Sequence, residues 1–193
     1  MSDRRVKYTK MVLKESLLKL MEEKPIGKIQ IKEICELADV NRGTFYTHYN
    51  DQYDLLKHIQ DEFAAEVIEL RNKKLSNTMD GRELITKLLS YVAEQRSLCK
   101  LLFSTNGNEL INKLMNIAYD NFIDNWKQSH SRLSEWQIDM LYVFISSGAA
   151  SIIRHWALND MKQPPKEIAQ FIIQAITYGG NSFLQKANNT SPP

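Results

Sequence analysis

Between Ile29 and Leu56 the chain fits two short helices and a three-residue turn into fewer than thirty positions, in the run IQIKEICELADVNRGTFYTHYNDQYDLL. In the first piece Ile31, Ile34, Cys35 and Ala38 recur three and four residues apart, so they form one apolar stripe, with Lys32, Glu33 and Glu36 on the wet side. Asp39 and Asn41 end that helix, because their short side chains compete for nearby backbone amides. Val40 between them is expected to plug the gap between the helices. Asn41 is then placed to cap a second helix.

The second helix, read as Arg42 to Tyr49, offers only Phe45 and Tyr49 to a core and leaves Arg42, Thr44, Tyr46, Thr47 and His48 outward. A short helix that exposes hydroxyls, an imidazole and a guanidinium beside Gly43 suits close approach by a polar, anionic body, and duplex DNA fits that description. The bland alternative is that Tyr46 and His48 pack on a neighbouring domain, which the clustering of these residues disfavours.

The segment ICELADVNRGTFYTHYNDQYDLL resembles the DNA-binding signature of the TetR/AcrR family of bacterial transcription regulators, with Gly43, Thr44, Phe45, Tyr46, Tyr49, Leu55 and Leu56 where that signature wants them. Asp39 stands in place of the family's turn glycine, Asn41 of its serine, Gln30 of its threonine cap, and Gln52 of a lysine that approaches a phosphate. The resemblance implies DNA contact by Lys32, Asn41, Arg42, Gly43, Thr44, Tyr46, Thr47, His48 and Gln52. The later run SSGAASIIRHWALNDMKQPPKEIAQFI also looks like the C-terminal region of one subset of the family, and implies a homodimer.

Composition agrees with a globular chain: 193 residues, 43% apolar and 25% charged, can bury one sizeable core. The net charge of +2 says little, but Arg4, Arg5, Lys7, Lys10 and Lys14 crowd the first fourteen positions, and Lys28 and Lys32 follow near the motif. Such a patch attracts phosphate. The N-terminus lacks an apolar signal region, and the uncharged runs 140–153 and 168–185 read as too short or too polar to span a membrane, so a cytoplasmic protein is expected. Cys35 and Cys99 sit on apolar helical faces and read as buried thiols.

Helical periodicity runs through the rest of the chain. Thr9 to Glu23 is amphipathic and is stopped by Pro25 and Gly27. Asn50 is expected to cap a long helix reaching Leu75, with Tyr53, Leu56, Ile59, Phe63, Val67 and Leu70 on one stripe, making a rigid strut. Asp80 and Glu83 open a helix to Gln95; a short helix spans Ser97 to Ser104; another carries Leu110 to Trp126. No stretch alternates with period two. The chain is therefore all-α, about nine helices, with a helix-turn-helix domain over 1–52 and a helical regulatory and dimerisation domain over 53–193.

The last two helices, Trp136 to Asn159 and Pro165 to Lys186, are apolar nearly all round, and the first carries the small-residue run Ser146 to Ser151. One chain cannot cover both, so a four-helix contact between two copies is expected, through Phe144, Gly148, Ala149, Ile152, Phe171, Ile172, Ile176 and Phe183. Tyr91, Phe103, Met115, Phe122, Trp126 and Trp156 are candidates to line a pocket for a small-molecule effector, with filled core as the competing use. Arg154, His155 and Trp156 suggest a pocket wall or a buried hydrogen-bond network.

No P-loop, GxSxG or HExxH occurs, the four histidines lack ligand spacing, and Asp120 with Asp124, weak as an acid/base pair, is better explained by a solvated helix face, so neither metal nor cofactor is expected. The leading expectation is a dimeric DNA-binding regulator that represses from a palindromic operator and is relieved by an effector. Activation from the same fold, or an all-α enzyme or scaffold with a merely structural helix-turn-helix, are the rivals.

Overall fold

The computed structural model describes residues 2–75, 81–104, 110 and 134–189, with side chains over 4–70, 72, 82–104, 110 and 134–178. Within these residues the chain forms eight α-helices and no strand: α1 (Ser2–Glu23), α2 (Ile31–Ala38), α3 (Arg42–Tyr46), α4 (Gln52–Leu75), α5 (Gly81–Glu94), α6 (Arg96–Ser104), α7 (Glu135–Leu158) and α8 (Pro165–Asn189). The expected helix from Leu110 to Trp126 falls, beyond Leu110, outside the described residues, as do Asp80, Asp120 and Asp124.

α1 begins seven residues earlier than its apolar stripe suggests, because Ser2 to Tyr8 holds no helix breaker and its basic side chains tolerate exposure. Leu13, Leu17 and Met21 bury its inner face, and Pro25 ends it before a single 3-10 turn, Ile26–Lys28. α2 opens with Glu33 accepting the Gln30 backbone N–H at 2.9 Å. It closes at Asp39, which takes the left-handed conformation (φ 52°, ψ 46°) while the Val40 N–H reaches back to the Cys35 carbonyl at 2.9 Å. That geometry explains the glycine of the family signature: a side chain there costs about 1 kcal/mol, least for Asp and Asn.

α4 is capped one residue later than its sequence suggests. Asp51, not Asn50, accepts the Asp54 N–H at 2.8 Å, and Asn50 instead donates its backbone and side-chain N–H groups to the Asp54 carboxylate, both at 2.9 Å. These donors hold the Asp54 carboxyl below its usual range. At 24 residues α4 is about 36 Å long. Leu55, Leu56, Ile59, Phe63 and Ala64 are buried along it; Tyr53, expected on that stripe, is instead 48% exposed, with its hydroxyl 3.2 Å from where a Gly27 Cβ would stand.

Two contacts fasten the strut. Lys14 of α1 pairs with Glu62 at 3.0 Å, which also withdraws Lys14 from the basic patch expected at the N-terminus. Tyr91 of α5 stacks on Phe63 and donates its hydroxyl to Glu66. α6 packs against both α1 and α7, and its Arg96 and Lys100 hold the α7–α8 connection: Lys100 lies 2.9 Å from the Asp160 carboxylate and Arg96 donates to the Asp160 carbonyl. Asp160 (φ 60°) and Met161 (φ 42°) are both left-handed, and the Met161 N–H closes the helix end on the Trp156 carbonyl at 2.9 Å.

α7 opens at Ser134, whose backbone N–H donates to Gln137 Oε1 at 2.9 Å. It is long and apolar enough to cross a membrane by length and composition, contrary to the reading of run 140–153, yet only 17% of its most apolar window is buried within the chain.

Candidate nucleic-acid interface

The recognition segment is built on one buried ring. Phe45 is wholly buried, with Tyr46 edge-on to it at 5.7 Å and Tyr49 tilted against it at 5.8 Å. Tyr49 is itself buried between Phe45 and His58, and burial pushes its hydroxyl above the usual phenol range. α3 is shorter than expected: five residues are helical, and Thr47 and His48 continue as a turn.

Asn41 caps α3 through Oδ1, which accepts the Thr44 N–H at 2.7 Å and the Thr44 hydroxyl at 3.0 Å. A Cβ on Gly43 would stand 3.3 Å from that same oxygen, so glycine keeps the cap unhindered. The Asn41 and Thr44 polar groups are thereby spent on holding the helix, and the Thr47 hydroxyl donates to the Thr44 carbonyl. Arg42 and Tyr46 remain as the projecting groups: Arg42 is exposed and Tyr46 is 57% exposed, while His48 is half-buried against Tyr49.

Arg42 and Lys32 border one concavity of about 530 Å³ between α2 and α3. Glu36 and Asp39 share it, and Glu36 lies 3.6 Å from Lys32. The two acids were not legible as site residues in the sequence, although Glu36 is one helical turn from Lys32 and Asp39 three residues before Arg42. The Cys35 thiol also lines this concavity; burial pushes it above its usual range, which leaves it a poor nucleophile. Gln52 starts α4, half-buried at its first turn.

Away from this surface the expected residues divide. Phe144, Gly148 and Phe171 are exposed, and Trp136, Met140, Val143 and Tyr178 join them on an apolar face that the sequence reading had not assembled. Ile172, expected at the subunit contact, is only 3% exposed and belongs to the chain's own core; Ala149, Ile152 and Ile176 lean on that core from its edge. The Phe183 side chain lies outside those described. Of the effector candidates, Phe103 is fully buried, and Trp156 is buried with its indole N–H donated to the Gln163 carbonyl at 2.9 Å, so both serve as core. Tyr91 is half-buried on Phe63, and Met115, Phe122 and Trp126 lie outside the described residues. His155 is exposed and Arg154 half-buried. Among the described residues no three His, Cys, Asp or Glu side chains gather as a metal site.

Comparison with known proteins agrees with this geometry. Residues 15–59 match the family described as bacterial regulatory proteins of the tetR family, and residues 81–178 match a transcriptional regulator C-terminal region. The chain is 23% identical over 177 residues to the uncharacterized HTH-type transcriptional regulator YxbF of Bacillus subtilis (strain 168). That alignment takes in 86% of this chain but only 44% of the relative's length. A TetR transcriptional regulator from Streptococcus agalactiae 2603V shares the fold with a TM-score of 0.70 at 17% identity, covering 91% of this chain and 97% of that one. The transcriptional regulator FadR from Bacillus subtilis, solved in complex with stearoyl-CoA, gives 0.67 at 18% identity, over 86% and 96%.

Proposed function

The chain belongs to the TetR family of bacterial regulatory proteins, and from that membership we propose that it is a cytoplasmic repressor that binds a palindromic operator as a homodimer and is released by a small-molecule effector. The N-terminal unit, 1–52, reads DNA; the remainder carries the dimer contact and the effector site. The observation that carries the reading is the α3 surface, where Tyr46 and Arg42 project from a helix whose cap and buried ring leave them no structural duty. Arg42, with Thr47 and His48, faces base edges in the major groove, while Tyr46, Lys32 and Gln52 approach phosphates.

The apolar face on α7 and α8 supports the dimer. A helix apolar enough for a membrane that leaves Trp136, Met140, Val143 and Phe144 exposed needs a partner for that face, and a second copy of the same pair makes a self-complementary four-helix contact. Repression follows from occupancy alone, since a dimer across two successive major grooves covers promoter DNA. An effector acts by favouring a state in which the two α3 helices no longer match the groove spacing of about 34 to 36 Å.

The test is selection of a duplex from random sequence, followed by titration over a range of salt. Saturable, salt-dependent binding to a palindrome by a dimer is the expected result. Monomers that bind no duplex above background would return the chain to the scaffold or enzyme reading.

A further inference from the structure

α3 stops at Tyr46, and from Thr47 to Asn50 the chain is non-helical. Five helical residues are too few to hold a direction of their own. The start of this helix is fixed by Asn41 and its middle by Phe45; its far end is fixed from α4, at two points. The Asp54 carboxylate accepts both the backbone N–H and the side-chain amide of Asn50, each at 2.9 Å. The His58 ring meets the Tyr49 ring with centroids 5.2 Å apart and planes at 74°. Tyr49 leans in turn on the Phe45 ring, while its N–H donates to the Phe45 carbonyl at 3.0 Å.

The two points act as one. Asp54 and His58 are a turn apart on α4, and His58 Nδ1 lies 2.9 Å from the Asp54 carbonyl oxygen and 3.3 Å from its carboxylate. A carbonyl oxygen only accepts, so Nδ1 carries the hydrogen, and that bond fixes the ring plane against Tyr49. The core does not call on this imidazole: Leu55, Ile59 and Phe63 fill the buried side of α4, and the His58 side chain is 49% exposed. We propose that Asp54 and His58 are positioning residues for DNA recognition, which together set the angle between α3 and the long helix and so the placing of Arg42 and Tyr46.

The consequence for DNA rests on the operator reading above; the clamp itself does not. Asp54 acts on the segment through Asn50 and His58 acts through Tyr49, so neither needs to touch DNA. In a dimer the two α3 helices must meet grooves about 34 to 36 Å apart, and a tilt of each on its own strut spoils that match at both ends. Contacts that depend on direction, those of Arg42 with base edges, are lost first, whereas phosphate attraction tolerates a tilt.

The experiment has two arms, both on the full chain. In the first, without DNA, hydrogen exchange is followed by mass spectrometry. His58→Ala should raise exchange about tenfold over residues 41–52 and leave α1 and α5 as in the parent, with an unchanged melting temperature because the side chain is half in water. In the second, affinity for an operator selected by the parent is set against affinity for a random duplex. His58→Ala should weaken the first about tenfold and leave the second unaltered. His58→Asn, which can still donate to the Asp54 carbonyl, and His58→Phe, which keeps a ring on Tyr49, should each recover part of both effects. Asp54→Asn, left with one acceptor oxygen for the two Asn50 donors, should behave like His58→Ala. Unchanged exchange in His58→Ala overturns the clamp whether or not the protein binds DNA. Exchange raised throughout the chain with a lowered melting temperature overturns it equally, as does raised local exchange with an unaltered operator-to-random ratio. A parent that binds no duplex fails the operator reading instead, and the exchange arm still decides the clamp.

Discussion

The Tyr91 ring lies on the Phe63 ring with centroids 5.9 Å apart and planes 20° from parallel, so α5 is stacked directly on the long helix that ends at the DNA-facing surface. The Tyr91 hydroxyl adds a hydrogen bond to Glu66, one turn further along that helix. Tyr91→Phe keeps the stack and should lose about 1 kcal/mol of stability in urea unfolding, whereas Tyr91→Ala should lose about 2 to 3 kcal/mol. Equal losses from both would mean that the stack contributes nothing.

Asp39 is the natural place to gain stability. Its left-handed backbone favours glycine, so Asp39→Gly should be neutral or stabilising by up to about 1 kcal/mol, and Asp39→Val should cost about 1 to 2 kcal/mol. Thermal melting separates the two. A melting temperature raised by valine would contradict the backbone assignment.

On the reading face, Arg42→Ala should relax sequence choice by about 1 to 3 kcal/mol at one base pair if the guanidinium grips a guanine edge. Tyr46→Ala and Lys32→Ala should weaken binding to every duplex alike, and Lys32→Ala should lower the salt slope by about one. Binding assays on the selected operator and on single-base variants distinguish these patterns. Uniform loss in Arg42→Ala would move that side chain to the phosphates.

The subunit contact can be broken without touching the core. A side chain at Gly148 meets nothing of its own chain within 4 Å, and Phe144 is 66% exposed, so Gly148→Glu and Phe144→Glu should leave folded monomers that bind DNA poorly. Ile172→Glu should instead unfold the chain, because that side chain lies in the interior. Light scattering and circular dichroism decide, and dimers persisting in Phe144→Glu would remove α7 from the contact.

A pH dependence follows from the α6 clamp. The hydrogen bond from Lys100 holds the Asp160 carboxyl below the usual carboxylate range. A carboxyl depressed by folding contributes stability that is present above its unfolded-state value and is lost as pH falls through its folded-state value. Asp160→Asn should therefore melt lower than the parent at neutral pH, and the difference should close in acid. A difference that persists in acid would trace the effect to the strained backbone at Asp160 and Met161 rather than to charge.

Much of this was legible before any coordinates. The three- and four-residue spacing of Ile31, Ile34, Cys35 and Ala38, the Asn41 cap and the buried Phe45 follow from local chemistry, and local chemistry is what a sequence states directly. Element ends were less so: Asn50 and Asp51 are both good caps, and the choice between them turned on which carboxylate reached which amide. Periodicity also could not say which side of an apolar helix its own chain would claim. Ile172 and Phe171 are neighbours in sequence, yet one is interior and the other faces outward, because α5 covers one side of α8 only. Tyr53 went astray similarly, as its ring can lie over Gly27 rather than under the strut.

The five-residue α3 is too short to be stable alone, and rests on one ring below and one asparagine at its start. Folding information and address information are thus written at different positions of the same segment. Arg42 and Thr47 can drift under selection for a new operator while Phe45 and Asn41 stay, so a duplicated gene can acquire a different target without first passing through an unstable intermediate.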